Sequence, residues 1–411
     1  MRYVSHLEGA IDGARLDHNS VQTLHNDRPI WVRYDLDAVK AAMKKSDLVN
    51  RAPDMFRYRE LLPVGDEIAP VSLGEGMSPI LPTPELGKEL GLQDLWVKDE
   101  SQLPTGSFKS RGLAMAITMA RHFGIERVAI PTAGNAGGAT AAYAARAGME
   151  AFVFMPADTP LANQFECMLA GAHTFAMDGL INDCGKLVRE GKPHTNWFDL
   201  STLKEPYRIE GKKTMGLEIA EQFQWQLPDV IVYPTGGGTG LIGMWKAFHE
   251  LREIGWLESE KMPRMVSVQS DGCAPIARAW QNQERFAEPF ANAQTVASGL
   301  RVPVAVGDFM ILDAVKESGG TALAVSEDRI DEWQKLSTRL SGISICPETA
   351  CCIGAVQQLA NESWIQPNEK VVVFNTGAAQ KYLPGDDFKL EKIGSADQVD
   401  WQKFLDRQNK D

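Results

Sequence analysis

Short apolar runs alternate along this chain with longer stretches in which apolar residues recur every three or four positions. The short runs are Leu95–Lys98, Val128–Ile130, Ala151–Met155, Val230–Tyr233, Met265–Gln269 and Val371–Phe374. Their β-branched and aromatic content predicts strands. Helical patterns cover 113–120, 137–147, 213–224, 241–251 and 349–360. Strand–helix alternation at this spacing predicts an α/β chain whose parallel sheets carry helices on both faces. Functional loops are then expected at the carboxyl ends of the strands. Residues 1–75 lack this rhythm and read as an N-terminal extension, and the charged stretch 386–411 reads as a peripheral C-terminal tail.

Length and charge narrow the picture. At 411 residues the chain is long enough for two or three domains and a large core. Lys and Arg number 42 against 54 Asp and Glu, a net charge of −12, which argues against nonspecific binding to nucleic acid or anionic membrane. An anionic ligand must therefore be held by backbone amides and a few placed cations. No apolar run is long enough for a membrane span, and Met1–Glu8 lacks the apolar core of a signal peptide. The six cysteines, Cys167, Cys184, Cys273, Cys346, Cys351 and Cys352, follow no framework spacing, so reduced thiols in a cytoplasmic enzyme are expected. No His or further Cys stands near Cys346, Cys351 and Cys352 at ligand spacing, and none of the seven histidines forms a zinc pair or a triad, so no metal is expected.

Four loops carry candidate chemistry. Lys109, in Pro104-Thr105-Gly106-Ser107-Phe108-Lys109, precedes the helical run from Leu113 and falls at or just before a helix N-terminus. The positive end of the helix dipole disfavours a protonated amine there, and a neutral amine can form a Schiff base with an aldehyde such as pyridoxal phosphate. Taken alone, Lys109 equally reads as a solvated surface charge. Thr132-Ala133-Gly134-Asn135-Ala136 follows a predicted strand and opens a helix, which suits an anion at the backbone amides and gives Asn135 a ring hydroxyl or carboxylate to bond. A tight turn with close packing is the alternative. Gly236-Gly237-Gly238-Thr239-Gly240 follows Val230–Tyr233, and its consecutive glycines make a phosphate-binding nest. Gly238–Gly243 also matches G-x-G-x-x-G, so a nicotinamide-dependent oxidoreductase is a rival reading. Its weakness is that the next strand ends in Gln269 where an acid should hold a ribose. Thr376, after Val371–Phe374, can offer a hydroxyl to a heterocycle nitrogen, or serve a turn.

Together these motifs resemble the fold type II family of pyridoxal-phosphate enzymes, and within it the threonine synthases, over roughly residues 28–382. Arg28–Leu36, Phe56–Pro63, Leu73–Ile80 and Thr202–Thr214 add to the resemblance. It implies two doubly wound parallel-sheet domains: a large cofactor-binding one from 76–110 and 209–385, and a small one from 111–208. It implies that Lys109 holds the internal aldimine and acts as general base, that Asn135 bonds the cofactor 3-hydroxyl, and that Gly236, Gly237, Gly238, Thr239 and Gly240 bind its phosphate. Thr376 would face the ring nitrogen. Ser107 and Thr132, Ala133, Gly134, Asn135 and Ala136 would serve the substrate. The implied activity is conversion of O-phospho-L-homoserine and water to L-threonine and phosphate by a cytoplasmic homodimer. A threonine or serine dehydratase, and a non-catalytic metabolite-binding protein on the same fold, are the alternatives. Arg111, Lys204, Arg208, Lys212 and Lys213 are candidates for a second phosphate site, each with a solvated surface role as the alternative. Three features depart from the family pattern: Ser110, the Gly377–Tyr382 run without its second glycine, and Cys346–Cys352 in place of glycine and alanine. No cysteine precedes Cys167, so the zinc-binding pair of many members is not expected.

Overall fold

The computed structural model describes residues 2–382 and 401–402, so nearly all of the expected tail 386–411 lies outside the described residues. Among the described residues thirteen strands run in chain order: β1 Val4–Gly9, β2 Arg15–Leu16, β3 Ile30–Tyr34, β4 Ile80–Pro82, β5 Asp94–Asp99, β6 Arg127–Pro131, β7 Glu150–Pro156, β8 His173–Met177, β9 Phe198–Asp199, β10 Val230–Pro234, β11 Arg264–Ser270, β12 Thr321–Val325 and β13 Lys370–Asn375. They form a six-stranded sheet, β12-β11-β10-β13-β5-β4, a four-stranded sheet, β8-β7-β6-β9, and a three-stranded N-terminal sheet, β2-β1-β3. The four-stranded sheet is parallel throughout. The six-stranded one is parallel except where β4 runs against β5.

Period-two alternation explains why both larger sheets are covered on two faces. In the six-stranded sheet Val97, Val230, Val232, Val371 and Val373 pack on one side against helices Pro347–Asn361 and Ile330–Ser341. Ile231, Tyr233, Val372 and Phe374, one residue out of step, pack on the other side against helices Tyr207–Gln222, Thr239–Glu253 and Asp308–Glu317. In the four-stranded sheet Val128, Ile130 and Val153 join helices Lys109–His122 and Asn135–Ala147, while Ala129 and Phe154 face Cys184, Val188 and Trp197. The α/β doubly wound class follows from that alternation.

All six strands read from the sequence are present, and the helices start earlier than their patterns suggest. The helix read from 213 begins at Tyr207 because its first turns carry Arg208, Glu210 and Lys212, charged residues that are fully or almost fully buried here. Strand β8 escaped notice because its side chains are mostly exposed at a sheet edge. The N-terminal stretch contains the antiparallel sheet β2-β1-β3 and helix Leu36–Ala42, capped by Asp35, whose carboxylate accepts from Ala38 N at 3.0 Å. Val39 and Met43 pack on Leu217 and Leu251 of the long helices, and Tyr34 donates to Glu210 at 2.7 Å.

Candidate active site

The carboxyl ends of β10, β13 and β6 converge on one cavity of about 360 Å³. Lys109, Asn135, Gly236 to Gly240 and Thr376 all line it, with Thr132, Ala133, Gly134 and Ala136 beside Asn135. Ser107 does not reach the wall. It pairs with Gly377 behind it, and its Oγ is buried without a hydrogen-bond partner.

Two consecutive residues of positive φ, Thr105 and Gly106, turn the chain into the lysine segment. That turn is stitched to the loop after β13: Phe108 N donates to Thr376 O at 3.1 Å, and Ala378 N donates to Gly106 O at 2.8 Å. Lys109 is the first residue of helix Lys109–His122, and its Nζ lies 4.2 Å from the centroid of the Phe108 ring. Burial, and then the neighbouring Arg208 charge, bring its amine down to about 7, against the opposing pull of Glu348 and Cys346. Desolvation, more than the helix dipole invoked from sequence, is thus the main cause.

The glycine loop is shaped by what surrounds it. A Cβ on Gly236 would run into the Gly299 carbonyl, and one on Gly237 would come within 2.7 Å of Thr202. Gly238 has φ +71° and caps helix Thr239–Glu253. Glycine is thus required both by conformation and by close approach, and the amides are left facing a helix N-terminus. Gly243, the last glycine of the dinucleotide pattern, serves packing: its Cβ would meet Lys213 N at 2.9 Å. Gln269 is buried, and its Oε1 accepts from Ile276 N and Ala277 N while Nε2 donates to Thr235 O. It has no freedom to read a ribose.

Of the five cations read as phosphate candidates, Lys204 alone lines the cavity, 3.5 Å from Asp199. The other four are corrected in both respects, being neither in the cavity nor solvated. Arg111 is fully buried between Glu100, at 2.6 Å, and Glu218, at 2.5 Å. Lys213 is buried between Glu210 and Glu250. Arg208 donates to Leu200 O at 2.6 Å. Lys212 donates to Phe108 O, with its amine 3.9 Å from the same ring that Lys109 faces.

The wall holds groups the sequence reading did not single out: Arg189 and Arg301 as further cations, the turn Ser298–Leu300, Glu348 and Tyr382. Tyr382 Oη accepts from Asn135 Nδ2 at 2.9 Å. Glu348 lies inside the Cys346–Cys352 departure, which was the available signal; the Ser298 turn follows no strand–loop–helix template and gave none. All six cysteines are free and buried, and burial pushes Cys346 up to about 12. Several buried polar atoms on this wall have no hydrogen-bond partner in the protein: Asn135 Oδ1, Ser298 Oγ, Tyr233 Oη and Glu348 Oε2. Such atoms are uncommon in native cores; others are scattered through the protein, but these four share the cavity. Among the described residues no group of His, Cys, Asp and Glu is arranged to hold a metal, and no helix is long and apolar enough to cross a membrane.

Known proteins fit this arrangement. The family described as pyridoxal-phosphate dependent enzyme matches residues 71–377. A threonine synthase of Methanocaldococcus jannaschii is 35% identical over 85% of this chain and 85% of its own. One of Mycobacterium tuberculosis is 32% identical over 79% of this chain and 87% of its own. Among solved structures, maize serine racemase superposes with TM-score 0.64 at 19% identity, covering 81% of this chain and 92% of the racemase. A threonine deaminase of T.th. superposes with TM-score 0.63 at 22% identity, covering 76% of this chain and 94% of the deaminase. At those identities the two structures speak to the fold alone.

Proposed function

This chain belongs to the family of pyridoxal-phosphate-dependent enzymes, and on that premise we propose that it is a threonine synthase, converting O-phospho-L-homoserine and water to L-threonine and phosphate. The site fits the cofactor. A glycine cradle closed to any Cβ, an amine held near neutrality and unpartnered polar atoms on one wall are what a phosphorylated pyridine aldehyde would fill. When bound, pyridoxal phosphate supplies an electron sink for carbanion chemistry at the substrate Cα.

The chain's own residues do the rest. Lys109 would hold the cofactor, and its amine, uncharged for much of the population near pH 7, can take and return the proton at Cα. The amides of Gly236 to Gly240 with the N-terminus of helix Thr239–Glu253 would take the cofactor phosphate, Asn135 its hydroxyl, and Thr376 its ring nitrogen. Thr132 to Ala136 would receive the substrate carboxylate at the start of helix Asn135–Ala147, with Ser107 supporting the turn from behind. The substrate phosphate requires further cations, and Lys204, Arg189 and Arg301 on the same wall supply them. That cation set, beside relatives bearing the name threonine synthase, supports this substrate over an unphosphorylated amino acid.

The single observation that carries the reading is a half-buried lysine whose desolvated amine has no carboxylate bonded to it, sharing one cavity with the glycine cradle. Purified protein loaded with pyridoxal phosphate is expected to release phosphate from O-phospho-L-homoserine in step with L-threonine. Formation of 2-oxobutanoate from L-threonine with no phosphate release would overturn the substrate and favour a dehydratase. A cytoplasmic homodimer belongs to the same proposal; sedimentation at micromolar concentration tests the dimer.

A further inference from the structure

Among the described residues that line the cavity, Glu348 is the single carboxylate. It is only 4% exposed. Its Oε1 accepts from Gly299 N at 2.7 Å, while Oε2 is buried with no hydrogen-bond partner. The backbone is built around that bond, since a Cβ on Gly299 would come within 2.8 Å of Glu348 Oε1. Ser298, next in the chain, adds a second buried and unpartnered atom, its Oγ, on the same wall. Tyr382, whose Oη accepts from Asn135, stands beside this carboxylate, close enough for its hydroxyl to turn toward it.

An ionised carboxylate only accepts hydrogen bonds. The groups this cavity has to hold, two phosphates and a substrate carboxylate, are acceptors as well and cannot satisfy Oε2. The substrate amino group is engaged by the cofactor. The Tyr382 hydroxyl is the protein donor beside this carboxylate, but a carboxylate offers several acceptor sites, and the donor left for the rest is water. A buried water needs two or more polar partners, and Ser298 Oγ, one residue from the amide that holds Oε1, is the nearest unpartnered atom along the chain.

We propose that Glu348, assisted by Ser298, is a positioning residue that seats the water added to the substrate, and so decides between hydration and simple elimination. This rests on the threonine synthase reading. In hydration the bond from Cγ to the phosphate oxygen breaks, Cβ gives up one proton and Cγ gains one, and the water oxygen bonds to Cβ while its spare proton goes to the phosphate, so one water is consumed and one phosphate released. In the diverted route phosphate leaves in the same way, but water instead replaces nitrogen at Cα, giving 2-oxobutanoate and ammonium. A water held by one O–H to Oε2 presents its lone pair away from the carboxylate, and fixed orientation of this kind is worth orders of magnitude in rate.

The test uses the cofactor-loaded protein and its Glu348→Ala, Glu348→Gln and Ser298→Ala variants, with phosphate, threonine and 2-oxobutanoate measured from O-phospho-L-homoserine. The ratio of 2-oxobutanoate to threonine is expected to rise at least tenfold in Glu348→Ala and by less in Glu348→Gln and Ser298→Ala, which keep an acceptor at position 348. A ratio unchanged in all three overturns the proposal, whatever happens to the total rate. A crystal structure of the loaded wild type supplies a readout independent of turnover: a water within hydrogen-bond distance of Oε2 is expected, and Oε2 bonded to the cofactor ring nitrogen or to a lysine overturns the proposal. If no phosphate is released by any of these proteins, the substrate reading fails, and the occupant of Oε2 still decides the role of Glu348.

Discussion

Lys109 makes a demand on the folded protein before any cofactor arrives. Its amine titrates at about 7 when folded, against an ordinary value of 10.5. The unfolded chain therefore binds more protons between those limits, and stability rises with pH there. Below pH 7 both states are charged and the full penalty, on the order of a few kcal/mol, is present. Urea melts of the cofactor-free wild type and Lys109→Met from pH 7 to 10 should show the variant more stable at the acid end and the gap closing with rising pH. Parallel curves would show that the amine is not held neutral by its surroundings. The same variant, mixed with pyridoxal phosphate, should lack the visible absorbance band that the wild type acquires.

The structural elements divide into those that hold the lysine and those that hold the ligand. A buried network, Lys98 to Glu218 at 3.0 Å, Glu218 to Arg111, and Arg111 to Glu100, ties β5, helix Lys109–His122 and helix Tyr207–Gln222 together beneath the site. Removing one partner leaves buried charge unmatched, so Glu218→Ala should cost about 3–5 kcal/mol in a denaturant titration. The cradle should respond differently. Gly236→Ala must push the loop away from the Gly299 carbonyl, and cofactor affinity measured by fluorescence should fall at least tenfold, about 1.4 kcal/mol, with a much smaller loss of stability than Glu218→Ala.

These elements also show what the chain discloses before it folds. The lysine turn, the glycine nest and Thr376 were legible because each follows a strand whose apolar run is unmistakable, and loops at such strand ends carry chemistry. Arg111, Arg208, Lys212 and Lys213 misled because a charged residue in isolation implies solvent, whereas here Glu218 and Glu250, brought from distant positions, join the nearer Glu100 and Glu210 to allow burial of Arg111 and Lys213. The Ser298 turn and the N-terminal sheet had no local pattern to betray them; their positions depend on partners far along the chain.

Across the molecule, the carboxyl ends of strands from the four-stranded and six-stranded sheets meet at the cavity, and among the described residues side-chain pairs tie the surroundings of one to the other. Arg301 pairs with Asp158 at 2.7 Å, Lys381 with Glu166 at 2.8 Å, and Asn135 with Tyr382. Partly exposed pairs of this kind contribute roughly 0.2–1 kcal/mol each, too little to set global stability but enough to bias the approach of one sheet to the other. Glu166→Gln should therefore leave the melting temperature within about 2 °C of wild type, by the usual conversion of such an energy, while raising KM for the amino-acid substrate several-fold. A large fall in melting temperature would mean that the pair is structural.

The stitching of the lysine turn to the loop after β13 has a consequence for synthesis. Strands β6 to β9 lie within one continuous stretch of chain and can assemble as soon as it leaves the ribosome. Strand β5 cannot: its parallel neighbour is β13, and Phe108 waits for the carbonyl of Thr376. Lys109 is made long before Thr376 and sheltered only once that residue has emerged. A nascent or truncated chain that lacks β13 therefore carries this lysine as an ordinary, protonated one, and the vitamin is captured only by a chain extended through β13.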